Sequence, residues 1–190
     1  MIWLAVGAAI AASAAQPADR ARLERMVALY DELCLEAFPD DTAIDALMVA
    51  KGATPLTPEE VRVTFNDDPG RGWLVDDGDI QVQVMIEMPP YHACSVRWMT
   101  DGGFGDLSGY NAVIDEFKAA GPAFAEPESQ EMDVAGFHVA AVTQGRLLPD
   151  GSTEALLMIE QRVSDPARRA KGEARVSVRF VHQIISPDAR

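Results

Sequence analysis

The chain is poor in several features that mark protein classes. Only two of its 190 residues are cysteines and three are histidines, and 16 basic side chains stand against 30 acidic ones, for a formal net charge of -14. This shortage of basic residues argues against nucleic acid and anionic lipid as partners, because both require a basic surface. With 48% hydrophobic and 24% charged side chains, the composition is typical of one ordinary soluble domain.

Sequence motifs of known chemistry are also missing. The glycine-rich segment 101–106 stands between a predicted strand and a predicted helix, but it has neither of the common phosphate-binding spacings. No short histidine and glutamate spacing indicates a metal site. We therefore expect no cofactor and no bound metal, and the sequence identifies no catalytic residue.

Charged side chains are absent from the first sixteen residues, which are mostly apolar and alanine-rich. The run is too short to span a hydrocarbon core of about 30 Å, and its small residues are typical of a signal-peptide cleavage site. We predict a signal peptide at 1–15, with cleavage before Gln16 favoured over cleavage before Ala15, although no basic residue precedes the run. A buried N-terminal helix is the alternative.

The remaining residues, 16–190, are predicted to be one domain that is periplasmic or secreted and not inserted in the membrane. In an oxidising compartment a small, even number of cysteines tends to pair. Cys34 and Cys94 are each other's only candidates, and they are too far apart in sequence for a redox-active motif. We expect a structural disulfide between them.

Helices are predicted in the first part of this domain. Apolar residues recur every three or four positions from Pro17 to Ala37, which indicates an amphipathic helix with Cys34 on its buried side. A second short helix follows Pro39, capped by an aspartate. The segment 57–60 has the capping threonine, first-turn proline and third-position glutamate of another helix start.

Strands are predicted from Trp73 onward, where the apolar period changes to two. Three strands precede a helix at 107–120 and three follow it, separated from it by an acidic surface loop at 123–133. The expected fold is α+β, with N-terminal helices packed on a largely antiparallel sheet of about six strands and one crossover helix. The six strands begin at Trp73 and cover 80–88, 91–99, 136–147, 153–163 and 174–185.

Two groups of residues are candidates for chemistry. The histidines His92, His138 and His182 all lie on predicted strands, so a zinc site across strands is conceivable, although hydrogen-bonded core or edge histidines are the preferred interpretation. The acidic residues Glu87, Glu154 and Glu160 lie on strands where a pair could serve a hydrolase, but solvated strand faces supply the same residues. A hydrolase using such groups, with or without a metal, is the alternative function.

Basic residues concentrate near the C-terminus. The stretch from Arg162 to Arg190 is net positive while the rest of the chain is acidic. A solvated turn is the preferred interpretation. The alternative is a docking surface for an anionic partner, such as an envelope polymer or an acidic protein.

The segments 69–73 (Pro-Gly-Arg-Gly-Trp) and 92–96 (His-Ala-Cys-Ser-Val), together with Cys34, resemble a group of small secreted proteobacterial proteins of unknown function. The resemblance implies export and a disulfide and supplies no active-site residues. We therefore expect an exported binding or structural protein of the cell envelope, whose partner is an unidentified protein or envelope polymer.

Overall fold

The computed structural model describes residues 17–173 and 175–189, so the predicted signal peptide and its cleavage site lie outside the described residues. The helices are α1 (Pro17–Tyr30), continued by a π-helix (Asp31–Ala37), α2 (Asp41–Ala50), α3 (Pro58–Thr64), α4 (Ser108–Ala119) and α5 (Pro166–Ala170). The strands are β1 (Thr54–Pro55), β2 (Gly70–Asp77), β3 (Ile80–Glu87), β4 (Tyr91–Thr100), β5 (Glu128–Val134), β6 (Phe137–Leu147), β7 (Thr153–Val163) and β8 (Val176–Ile185). In the described part of the chain, no helix has both the length and the apolar character needed to cross a bilayer.

All eight strands form one sheet in the order β1-β2-β3-β4-β8-β7-β6-β5, and every neighbouring pair is antiparallel. Strands β1 to β4 form one meander and β5 to β8 form another, and the two meet where β4 pairs with β8. The connection through α4 carries the chain from the middle of the sheet to its far edge. The α+β prediction with an antiparallel sheet is confirmed.

The predicted number of about six strands was wrong, because β1 and β5 were not recognised. The acidic segment predicted as a loop contains β5, all seven residues of which pair with β6. Ala135 and Gly136 form the tight turn between them with φ angles of 50° and 80°. Two consecutive positive φ values suit a two-residue hairpin, and alanine at the first position hid that signal.

The core lies between the sheet and the helices α1, α2 and α4, on what we call the helix face of the sheet. Strand positions alternate, so Val96, Phe180 and Leu156 point to this face and are fully buried. Phe180 stacks on Tyr110 of α4, with ring centroids 4.3 Å apart. Tyr30 of α1 donates a hydrogen bond to the carbonyl oxygen of Val181 at 3.1 Å, which ties the first helix to the last strand.

Cys34 and Cys94 form the expected disulfide, with their Cα atoms 5.3 Å apart and both side chains buried. It joins the π-helix to β4. The helix predicted from Pro17 to Ala37 is present, but its last seven residues widen into π geometry before Pro39 ends it. The predicted capping box at Thr57 and Glu60 starts α3 as expected.

Candidate functional site

A chain of hydrogen-bonded ionisable side chains crosses the core. Oε2 of Glu154, on β7, accepts a hydrogen bond from Arg146 of β6. The other carboxylate oxygen, Oε1, lies 2.8 Å from Nε2 of His182 on β8. The other ring nitrogen of His182, Nδ1, lies 2.6 Å from the carbonyl oxygen of Cys34. His182 and Glu154 are only 2% and 5% exposed, so the network is cut off from solvent.

The local sequence explains why the Cys34 carbonyl needs this partner. In the π-helix the amide of Phe38 bonds to the carbonyl of Leu33, five residues earlier. The Cys34 carbonyl would bond in the same way to the amide of residue 39, but Pro39 has no N–H. His182 satisfies the carbonyl instead, as a buried acceptor requires.

The charges in this network follow from its hydrogen bonds. Burial alone would raise the pKa of Glu154, but the hydrogen bonds and positive charges of His182 and Arg146 outweigh it and hold that pKa below its ordinary value. Glu154 is therefore ionised, and its carboxylate and the Cys34 carbonyl are the hydrogen-bond acceptors that face Nε2 and Nδ1 of His182. Both ring nitrogens of His182 thus lie within hydrogen-bond distance of an oxygen acceptor.

The structure thus brings together two sequence candidates, Glu154 and His182, but not as a catalytic pair. Both imidazole nitrogens and both carboxylate oxygens are occupied, and the ring of His182 has Phe38 and Phe117 against it with centroids 4.9 Å and 5.0 Å away. A general base needs a free position within reach of a substrate proton. The geometry supports a stabilising network, in agreement with the interpretation of His182 as a hydrogen-bonded core histidine.

The other histidines lie apart from this network. His92 on β4 bonds to Asp41 at the start of α2, at 3.0 Å, and His138 on β6 lies 3.3 Å from Asp133 of β5. Among residues 17–173 and 175–189, no group of three or more His, Cys, Asp or Glu side chains is arranged to hold a metal ion. The conceivable three-histidine zinc site is not formed.

The remaining acidic candidates are also separated. Glu160 accepts a hydrogen bond from Arg162 at 2.7 Å on the helix face. Glu87 lies at the end of β3 on the opposite face, where burial raises its pKa. Since the two carboxylates point to opposite faces of the sheet, they do not form the pair that a glycosidase requires.

A cavity of about 660 Å³ lies on the opposite face of the sheet, which we call the open face. Strands β4, β8, β7 and β6 line it, Val63 and Thr64 of α3 lie at one side, and the α5 segment lies at the other. Its charged residues are four arginines and one glutamate: Arg97, Arg168, Arg175, Arg179 and Glu173. We call it the arginine cavity. This local excess of positive charge contrasts with the net charge of -14 of the whole chain.

Arg97 and Arg179 are direct cross-strand partners on β4 and β8. Neither forms an ion pair with any described residue; Arg97 donates to Ser177 Oγ at 2.7 Å. Burial lowers the pKa of both side chains, and the charge of Arg97 lowers that of Arg179 further, whereas the charge of Glu87 on the same face raises it. Like charges directly opposite each other destabilise a sheet, so the pair carries a cost that Glu87 offsets in part and that a bound anion would offset further.

The other two arginines have partners at the cavity rim. Arg168 bonds to Glu173 at 2.6 Å and lies 4.3 Å from the ring centroid of Phe137. Arg175 donates to the carbonyl oxygen of Met99 and forms an ion pair with Asp101, with Nε and Oδ1 3.9 Å apart. These contacts hold the rim arginines in place, so the unpaired charge of the cavity is concentrated on Arg97 and Arg179.

Sequence reasoning found part of this site. The basic stretch from Arg162 contributes Arg168, Arg175 and Arg179 to the lining of the cavity. Arg97 was missed because it comes from a strand far away in sequence. The sequence did contain one indication of this contact. Both strands alternate apolar and polar residues, and Arg97 and Arg179 both lie at positions of the polar face.

Comparison with protein-family models, with curated proteins and with solved structures gives no match for this chain.

Proposed function

We propose that the protein is a non-enzymatic binding protein whose ligand is a small anion held between Arg97 and Arg179. The observation that carries this proposal is the half-buried pair of cross-strand arginines without an ion-pair partner in the described structure. Guanidinium groups present planar, fixed donors that match carboxylate and phosphate oxygens. A bound anion would relieve the repulsion between them and would be held by charge-assisted hydrogen bonds.

The charge of the whole chain favours a small free anion over a polymer or a membrane. A net charge of -14 repels extended polyanions and anionic bilayers over roughly a Debye length, about 10 Å at moderate salt. A small anion inside the cavity experiences mainly the electrostatic field of the lining residues, and four of the five charged ones are arginines. An envelope polymer or acidic protein, the partners expected from the sequence, is therefore less suited to this site.

The direct test is calorimetric titration of the purified protein with octanoate and with inorganic phosphate at low salt. We expect saturable binding of at least one anion, weakened roughly tenfold or more by each of Arg97→Gln and Arg179→Gln. Arg20→Gln is the matched control, since Arg20 is an exposed arginine on α1. Binding that the two cavity variants leave unchanged, or no binding of either anion, would contradict the proposal.

We also propose that the protein acts outside the cytoplasm, in the periplasm or after secretion. The disulfide and the charge-free apolar N-terminal segment support this location, as does the resemblance to small secreted proteobacterial proteins. N-terminal sequencing of protein from the producing cell tests it. The expected mature chain begins at Gln16, and a cytoplasmic product that begins at Met1 would refute export.

A further inference from the structure

We infer that the ligand of the arginine cavity is an amphiphile, with a carboxylate or phosphate head at Arg97 and Arg179 and a hydrocarbon tail lying across β7 and β6. This inference rests on the proposed function and names its ligand class. It also commits to the free molecule in solution, because the net charge of the chain disfavours docking to an anionic membrane.

The strand register separates the cavity into a charged half and a more apolar half. Arg97 on β4 lies opposite Arg179 on β8, and Arg179 lies opposite Ile159 on β7. Further along, Val163 of β7 lies opposite Phe137 of β6. The arginines of the sheet floor therefore come from β4 and β8, whereas β7 and β6 contribute Ile159, Val163 and Phe137 with one polar residue, Gln161; the guanidinium of Arg168 lies over the Phe137 ring at the edge of this half.

The apolar surface continues beyond the cavity toward the edge of the sheet. Cross-strand partners share a face, so Val134 and Met132 of β5, which pair with Phe137 and Val139, extend the same surface. Met132 and Val134 are 49% and 51% exposed. A polar anion uses only the arginine half, whereas an amphiphile uses both halves and covers apolar side chains that are otherwise in contact with water.

The size of the cavity agrees with this ligand class. A volume of about 660 Å³ is within the range of small-molecule sites, roughly 300 to 1,000 Å³, and is large for a lone phosphate or acetate. Neighbouring strands are about 4.8 Å apart, and Phe137 lies four residues along β6 from Ala141, which pairs with Ile159. A tail from Arg179 to Phe137 therefore runs diagonally, about 10 Å across the strands and about 13 Å along them. That path suits a medium-length chain with the head at one end and the tail at the other.

The test is a titration series on the full mature protein with acetate, hexanoate, octanoate, decanoate and dodecyl phosphate, each below its micelle-forming concentration. Affinity should rise on the order of threefold for each added methylene until the tail leaves the apolar surface. Dodecyl maltoside, which has the tail without the charge, should bind at least tenfold more weakly than dodecyl phosphate. Ile159→Gln should weaken binding of decanoate more than that of acetate.

Val49→Gln serves as the matched control, because Val49 is an 81% exposed apolar residue on α2. Equal affinity for acetate and decanoate would overturn the amphiphile while leaving the anion-binding function intact. Loss of all anion binding would overturn both. Binding to vesicles of anionic lipid without binding of the free amphiphiles would also reject the inference and would identify a membrane surface as the ligand.

Discussion

His182 Nδ1 and the carbonyl oxygen of Cys34 lie 2.6 Å apart although the residues are 148 positions apart in sequence. The same cysteine is bonded through its sulfur to Cys94. Cys34 thus fixes the π-helix to β4 by a covalent bond and to β8 by a hydrogen bond. These two strands are neighbours in the middle of the sheet, so one residue holds both sides of their junction against the helix layer.

Replacing His182 should be strongly destabilising. In His182→Phe the carbonyl of Cys34 and the carboxylate of Glu154 each lose a buried partner, and we expect a loss of about 3 kcal/mol in the free energy of unfolding. His138→Phe is the control, because the His138 side chain is 41% exposed and should change stability by less than about 0.5 kcal/mol. Urea unfolding of both variants measures the difference, and similar values for the two would disprove the role given to His182.

Acid should remove part of the stability through Glu154. Its pKa is lower in the folded protein than in the unfolded chain, where it is about 4.3, so the unfolded state binds the proton first as the pH falls. The contribution is complete above pH 4.3 and disappears as the pH falls through the folded pKa. The stability difference between wild type and Glu154→Gln should therefore be largest at pH 7 and smaller at pH 3; a difference independent of pH would contradict this assignment.

The disulfide should stabilise the fold mainly by restricting the unfolded chain. The cysteines are 60 residues apart, for which the chain-entropy model gives about 4 kcal/mol. We expect the double variant Cys34→Ala/Cys94→Ala to lose a few kcal/mol in urea unfolding. The unreduced wild-type protein, unfolded before titration, should contain no reactive thiol, and two thiols in material from the native compartment would refute the pairing.

The arginine pair should be a stability cost. Arg179→Met keeps most of the hydrocarbon stem and removes a charge directly opposite Arg97, so we expect the free energy of unfolding to rise by about 0.5 kcal/mol in the absence of added anion. Arg20→Met on the exposed surface of α1 should have no comparable effect. A loss above about 1 kcal/mol in Arg179→Met would show that Arg179 is needed for the fold rather than for a ligand.

Local signals in the sequence were sufficient for most of the fold. The apolar period identified α1 and the six longer strands, and the capping threonine and glutamate identified α3, because these signals lie within a few residues of each other. β5 was missed because all its residues are exposed. A strand without a buried face lacks the alternation of apolar and polar residues by which strands are recognised in a sequence. The π-helix was not predicted, and the partner of its Cys34 carbonyl, His182, lies 148 positions away in sequence.

The candidate site was harder to predict than the fold. Glu154 and His182 were both candidate residues in the sequence. Their contact depends on the pairing of β7 with β8, and that pairing follows from the strand order of the sheet. The same holds for Arg97 and Arg179, which become neighbours only because the first and second meanders join at β4 and β8. A single sequence contains no local signal for that junction.

The order of the strands has a consequence for synthesis. Of the eight described strands, β8 is the last in sequence, and it completes the middle of the sheet rather than an edge. Both cysteines precede it by more than eighty residues and are therefore synthesised before it. The two arginines, in contrast, become neighbours only after the final strand is in place, and a chain that stops before Val176 lacks the binding site altogether. Ligand binding would therefore report that β8 has been synthesised and paired with β4.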